Sequence, residues 1–488
     1  MRRGLIIVAA AVCMLAGGAS SATANEQLES VFQDDDLLIH QPPEKVDASM
    51  AQLKALGVDR IRVSAIWRER APLLEPSDPT DPDSYDDARL QPLDTTIRSA
   101  ARHGVLVLLN VRGGVPEWAQ PRRPAGLREE DAYKPNRRKF QQYTEMLGRR
   151  YSGTYTTKSD VELPRVTAWS IWNEPNWPSL LQPQSTESGK PFSPHLYREL
   201  FRAASRGLRA TGHGDDIILL GETAPLGVSE PGSLRSMKAA LFYRTLFCLT
   251  EDLKPEPGCG DFDERGPLLA DGVAHHPYPV LAPPEFRSPD KGYIRLGDSE
   301  RLFRILDAAE RYGRLPGTLP VWYTEYGYQT KPPDPYRGIS LNKQAAWNVR
   351  AERLAFSEKR VVALTQFLLN DSGPRTQYAA SHPNYWSNYQ TGLRYFEGGR
   401  KPAFYSYRLP FLRLSQRKFW GMVRPAPNGI AQVIRIEERR SGAWESVGTR
   451  TVTNAKGYFT LDVPFAGRGK YRFVWNELAS RPAVPAPR

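Results

Sequence analysis

The sequence predicts an α/β chain: a (β/α)8 barrel followed by a small β-sandwich. Three observations carry this. Short β-branched, apolar runs alternate with amphipathic stretches from the N-terminal region to about residue 410, and strands that are apolar throughout need helices on their outer face, the pattern of a parallel sheet. Beyond about residue 415 the texture changes to short alternating segments punctuated by turn residues, the pattern of a sandwich. No Gly-rich phosphate turn follows an early strand, which counts against an open doubly wound sheet.

Eight strand and helix units can be read in order. A weak run at residues 37–40 stands as the first strand, followed by a helical pattern at 46–56. The second strand, 59–66, alternates, and the helix at 93–102 leads into the third, 104–111 (GVLVLLNV). A long helical pattern at 137–150 precedes the fourth, 166–172 (VTAWSIW). The helix 194–210 precedes the fifth, 216–220, and a helix-and-loop segment over 234–270 precedes the sixth, 272–276. The helix 299–312 precedes the seventh, 319–324, and the helix 343–357 precedes the eighth, 361–369. One domain of this kind takes about 250 residues or more, so the expected division is a leader at 1–24, the barrel at 25–412, the sandwich at 413–478 and a disordered Pro/Ala-rich tail at 479–488.

The leader is a secretory signal by its parts. Arg2 and Arg3 precede an apolar run at 5–15, and Ala22-Thr23-Ala24 forms a small-x-small cleavage site, so the mature chain is expected to begin at Asn25 and to be secreted. The run is too short to span a bilayer comfortably, and no transmembrane anchor is expected. Two cysteines then remain, Cys248 and Cys259. In an oxidising compartment so close a pair is expected to form a disulfide stapling one loop, the alternative being two free thiols. No further Cys or close His pair completes a metal site, so neither metal nor cofactor is expected. The formal charge is +12, but the basic residues are scattered and not interleaved with aromatics, which excludes a nucleic-acid partner. They read as solvated faces, with an affinity for acidic polysaccharide or an anionic envelope as the alternative.

In a (β/α)8 barrel the chemistry sits at the C-terminal ends of the strands. The fourth strand ends in Trp172-Asn173-Glu174-Pro175-Asn176 and the seventh in Thr324-Glu325-Tyr326-Gly327. Two carboxylates at one barrel mouth are what hydrolysis of a glycosidic bond requires: one gives a proton to the leaving oxygen, the other attacks the anomeric carbon or activates water.

The five-residue stretch around Glu174 resembles the acid/base motif of glycoside hydrolase clan A, and is especially similar to families 39 and 5. The resemblance covers the barrel and implies a retaining glycosidase of the cellulase type. In it Glu174 is the general acid/base, Asn173 binds the 2-hydroxyl beside the reacting carbon, and Glu325 is the nucleophile. Arg62 in RIRVSAIW resembles the strand-two arginine that contacts the nucleophile. His276-Pro277-Tyr278 resembles the strand-six His-x-Tyr whose tyrosine hydrogen-bonds it. A cation and a phenol beside Glu325 are expected to lower its pKa. A retaining pair is expected ~5–5.5 Å apart. There is one departure: where the clan closes strand eight with a Trp, this chain has Gln366-Phe367-Leu368-Leu369, so either Phe367 or Trp386 on the following loop is expected to floor the subsite.

The expected partner is therefore a carbohydrate, poly- or oligosaccharide, cleaved at a β-bond by a monomer. Glu222, after strand five, is the rival carboxylate, assigned a supporting role. His275 reads equally as structural or functional. Trp67, Trp118, Trp177, Tyr328 and Trp386 are candidate sugar platforms at the mouth, each explained as well by loop packing. A transglycosylase on the same site and a non-catalytic carbohydrate-binding envelope protein are the competing readings. The sandwich is read as packing against the barrel, not as a binding module.

Overall fold

The computed structural model describes residues 24–125, 132–426, 430–463 and 467–486. The leader expected at 1–24 lies, except for Ala24, outside the described residues. The expected architecture is present: eight parallel strands close a barrel, and antiparallel sheets follow at the C-terminal end. The barrel strands are β1 (Glu29–Gln33), β2 (Arg60–Ile66), β3 (Leu106–Arg112), β4 (Ala168–Ile171), β5 (Ile217–Thr223), β6 (Gly272–His275), β7 (Val321–Tyr326) and an eighth, Val361–Phe367. Each pairs with its neighbours in chain order, and β1 closes the ring by pairing with both β2 and the eighth strand.

The first strand corrects the sequence reading. Residues 37–40 are not a strand: Asp35–Leu38 is a helical turn, started by Asp34, whose side chain accepts from the Leu37 amide. Its Leu38 and Ile39 are buried as a plug, which is why the run looked strand-like. The true strand, ESVFQ, is short and has only two apolar residues, Val31 and Phe32, and so gave a faint apolar signal. In β2 the alternation has a direct purpose. Ile61, Val63 and Ala65 face the helices, while Arg60 and Arg62 are drawn inward by carboxylate partners, Glu29 and Glu222.

The barrel interior is filled by one large ring among small neighbours. Trp322 of β7 sits in a cluster with Val31, Leu108, Ala168, Leu219, Ala274 and Ala363. A Cβ on Gly272 would lie 2.7 Å from Leu219 Cδ2 and 3.2 Å from the Trp322 ring, so the glycine is what makes room for the indole. Outside, helices cover the strands by the expected periodicity. Helix Asp87–His103 is capped by Asp86, stops at Gly104 in the left-handed region (φ 62°), and buries Leu90, Leu93, Ile97 and Ala100 on one face; each large apolar side chain so buried contributes roughly 1.5–3 kcal/mol.

The C-terminal sandwich has two four-stranded sheets. One contains Phe411–Arg413, Lys418–Met422, Tyr458–Asp462 and Val484–Pro485; the other contains Gln432–Arg440, Ala443–Val452, Tyr471–Trp475 and Leu478–Ala479. Phe411, Phe419, Ile434, Ile436, Phe473 and Trp475 form its core. The expectation of a disordered tail is not met over 479–486. Val484–Pro485 adds a parallel edge strand beside Leu412 and Arg413, and Pro485, lacking an amide hydrogen, suits such an edge. The sandwich grips the barrel through a buried Arg424–Glu352 ion pair, the Tyr458 hydroxyl donating to Glu352 Oε1 at 3.1 Å, and Lys456 on Asp59 at 2.7 Å. Cys248 and Cys259 are joined as a disulfide.

Candidate active site

Four strand ends bring their polar side chains to one point at the barrel mouth. From β4 the chain turns sharply: Trp172 (φ 72°) and Glu174 (φ 40°) both sit in the left-handed region that side chains disfavour. Packing holds them there. The Trp172 indole is fully buried and donates to Leu180 O at 3.0 Å, its amide donates to Val111 O at 2.7 Å, and the Glu174 amide donates to Glu222 O at 2.9 Å. Asn176 fixes the loop beyond: its amide group bridges the carbonyls of Ala224 and Met237, and its oxygen accepts from the Ala224 amide.

Beneath the mouth lies a fully buried anchor. Glu222, at the end of β5 (φ 60°), is paired with Arg62 and accepts from Asn110 Nδ2 at 2.9 Å. Burial opposes its charge, but Arg62 and His276 outweigh burial and hold the carboxyl down at about 2. Arg62 spreads its guanidinium over four partners: Glu222, Gln33, Asn173 Oδ1 at 2.9 Å and Glu325 Oε1 at 3.2 Å. A rigid planar fork suits such a position better than an ammonium.

Glu325 ends β7 with 8% of its surface exposed. The Tyr278 hydroxyl donates to its Oε2 at 3.0 Å. His276 approaches both carboxylates of the mouth, with Nδ1 2.9 Å from Glu174 Oε1 and 3.6 Å from Glu325 Oε2. Burial works against a charge on His276, but Glu325, Glu174 and Glu222 raise it to about 9, so at neutral pH the ring is cationic and donates to Glu174. Glu325 departs from expectation. Burial pushes its carboxyl above the ordinary range, and the opposing pull of His276 and Arg62 does not cancel that. Tyr278, raised well above its ordinary value by burial and by Glu325, stays a phenol and a donor.

One oxygen each from Glu174 and Glu325 and a ring nitrogen of His276 all lie within 4.8 Å of one another. Three such groups can converge on a cation. Hydrogen bonding already accounts for part of this closeness, with His276 Nδ1 2.9 Å from Glu174 Oε1.

A cleft of about 760 Å³ opens over the pair. Arg62, Asn173, Glu174, His276, Tyr278 and Glu325 lie together at the mouth, linked by hydrogen bonds and ion pairs. Trp386 is a correction: it is not among the described residues that line the cleft and packs edge-on against Tyr385. Phe367 takes the place beside the site, edge-on to Tyr278 and Tyr389. Of the other candidate platforms only Trp177 lines the cleft. Trp67 and Tyr328 are buried in the packing behind it, and Trp118 packs edge-on against Trp67. His275 is structural, with burial lowering it to about 3 and Nε2 bonded to Ile294 O. Sequence reasoning missed Gln33, Asn110 and Tyr389. Asn110 had a signal, the one polar residue in the apolar run VLVLLNV; Gln33 was hidden by the misplaced first strand.

No protein-family model and no curated protein matches the chain. Among solved structures it is similar to a family 39 glycoside hydrolase from the gut symbiont Bacteroides cellulosilyticus WH2, with a TM-score of 0.50 and 15% identity over 92% of this chain and 82% of that one. It is also similar to a glucosidase from Croceicoccus marinus, with a TM-score of 0.52 and 13% identity over 94% of this chain and 97% of that one. At these identities the likeness is one of fold. Fold and site together define a (β/α)8 barrel that carries a close carboxylate pair at its mouth.

Proposed function

We propose that this chain is a secreted glycosidase that cleaves a β-glycosidic bond with retention, by double displacement. The observation that carries the reading is the placing of Glu174 and Glu325, with oxygens no more than 4.8 Å apart and His276 between them. That spacing fits a nucleophile and an acid/base flanking one bond; a pair that must admit a water stands ~6.5–9.5 Å apart. The neighbours' fold and activities, glycoside hydrolase and glucosidase, support the same class.

In the first step Glu325 attacks the anomeric carbon while Glu174 gives its proton to the departing oxygen, leaving a glycosyl ester on Glu325 and a free alcohol. In the second, Glu174 takes a proton from water, whose oxygen displaces Glu325. Tyr278 and Arg62 hold the two oxygens of Glu325, so its direction of attack is set before substrate arrives. Asn173, its oxygen held by Arg62, turns its amide toward the 2-hydroxyl of the reacting sugar. Glu222 pairs with Arg62, and Glu325 lies beside both Arg62 and His276, a pairing of charges that a buried cluster needs.

The test is release of reducing sugar by residues 25–488 across plant, fungal and bacterial glycans. Glu325→Gln should lose at least about 10³-fold in kcat. Glu174→Ala should lose turnover of natural glycans yet still be glycosylated by activated aryl glycosides, whose leaving groups need little protonation. Equal release by wild type and Glu325→Gln would remove Glu325 from the role.

A further inference from the structure

The cleft holds positive charge that the displacement chemistry does not use. Arg112 is the last residue of β3 and lines the cleft beside Asn173 and Glu174. Its guanidinium forms no ion pair or hydrogen bond with any described residue, and its Nε is shut away from solvent without a partner. Several arginines of low exposure in this chain are answered by acids, Arg60 by Glu29, Arg150 by Asp94, Arg350 by Glu285 and Arg424 by Glu352; Arg295 and Arg408 also have an unpartnered buried Nε, but of the three only Arg112 lines the cleft. The position of Arg112 is fixed from behind. A Cβ on the next residue, Gly113, would lie 2.7 Å from the Trp172 ring, so the strand end rests directly on the indole that also sets the turn to Glu174.

Across the mouth, Arg337 lines the same cleft from the loop after β7. Only its backbone is tied, its amide donating to Asp334 Oδ1 at 3.1 Å. The acids at the cleft edge do not answer these cations. Asp35 accepts from the Ser64 amide, and Asp36 faces His40. Arg112 and Tyr389 line the same cleft as Glu174 and Glu325.

We propose that the cleft takes an anionic sugar, with Arg112 as the receptor for a carboxylate or sulfate on a unit next to the bond that is cleaved and Arg337 as a second cation across the mouth. A guanidinium fork with unused donors matches a carboxylate or sulfate in two parallel bonds, whereas a neutral hydroxyl satisfies one. The inference rests on the glycosidase reading for what occupies the cleft, and it narrows the substrate to uronate-containing or sulfated glycans.

The experiment is calorimetric binding to the Glu325→Gln protein of matched tetrasaccharides: β-1,4-glucuronate against cellotetraose, β-1,4-mannuronate against mannotetraose, and 6-sulfated cellotetraose as the sulfate arm. The expected result is that at least one anionic member binds about 10-fold or more tightly than its neutral counterpart. Arg112→Gln should abolish that ratio and Arg337→Gln should reduce it, each in a protein whose circular dichroism is unchanged, and added salt should shrink it in the parent. Which arm responds separates carboxylate from sulfate. Equal or tighter binding of all the neutral members, no binding of any anionic member, or a ratio unmoved by both arginine variants overturns the proposal. Reducing-sugar release by otherwise wild-type enzyme on the same set keeps the two readings apart. Cleavage of neutral members in preference sinks this inference and leaves the glycosidase standing; anion-selective binding without Glu325-dependent cleavage does the reverse.

Discussion

Glu325 is a carboxylate asked to be charged in a place that disfavours charge. Burial raises it, Arg62 and His276 pull it down, and burial wins. The consequence is a sign in the pH profile. Glu325 must be ionised to attack, so kcat/KM should fall with acid through a pKa above the ordinary glutamate value of about 4.3. His276 acts in the opposite sense. Its folded value of about 9 lies above its ordinary value of about 6.5, so its stabilising contribution is complete below about 6.5 and is lost as pH rises through about 9. Melting curves should therefore show the wild-type Tm falling over that window more steeply than the Tm of His276→Gln; parallel curves would mean that His276 is not cationic. At this scale the sequence was most legible where a strand end carries a short motif, as at Glu174 and Glu325. It was least legible for Glu222. Nothing in LLGET says that this carboxylate is buried and paired with an arginine 160 positions away, because such a pairing exists only once the barrel closes.

Among the elements, the loop carrying the disulfide tests how far stability and site are separable. Cys248 and Cys259, 11 residues apart, staple the segment between helices Ala239–Leu246 and Asp261–Arg265. Closing a loop of that length stabilises by about 3 kcal/mol in the chain-entropy account. Cys248→Ser with Cys259→Ser should lower the unfolding free energy by up to that amount in denaturant titrations and leave KM unchanged, since neither residue lines the cleft; a changed KM would tie the loop to the site. The later strands were readable because their apolar runs are continuous. The first was not, since ESVFQ has only two apolar residues and the apolar Leu37, Leu38 and Ile39 just beyond it belong to a helical turn and its end. The edge strand at Val484–Pro485 was read as tail because composition alone carries no sign of a partner strand.

As a whole, the molecule is two sheet systems that share an apolar junction, where Phe356 packs on Trp420 and Tyr458, with a buried ion pair beside it. Arg424 reaches Glu352 of helix Leu341–Ser357, donates to Tyr407 O, and lies 4.1 Å over the Tyr407 ring. Removing one member of such a pair strands a buried charge at a cost of about 3–5 kcal/mol. Arg424→Ala should therefore destabilise by about that much, and the wild-type barrel and sandwich should melt together in calorimetry; two separate transitions would show that the contact does not couple them. Among the described residues, those lining the cleft all come from the barrel and its loops, which favours a packing role for the sandwich. Also among the described residues, no helix is long and apolar enough to cross a membrane.

The most direct test of the central claim is the configuration of the first product. Proton NMR, following the anomeric signals during the opening minutes of hydrolysis of a β-linked substrate, reports it before mutarotation scrambles the mixture. Two displacements at a carboxylate pair this close predict that the β-anomer appears first. An α-anomer appearing first would mean a single displacement by water and would contradict Glu325 as a nucleophile.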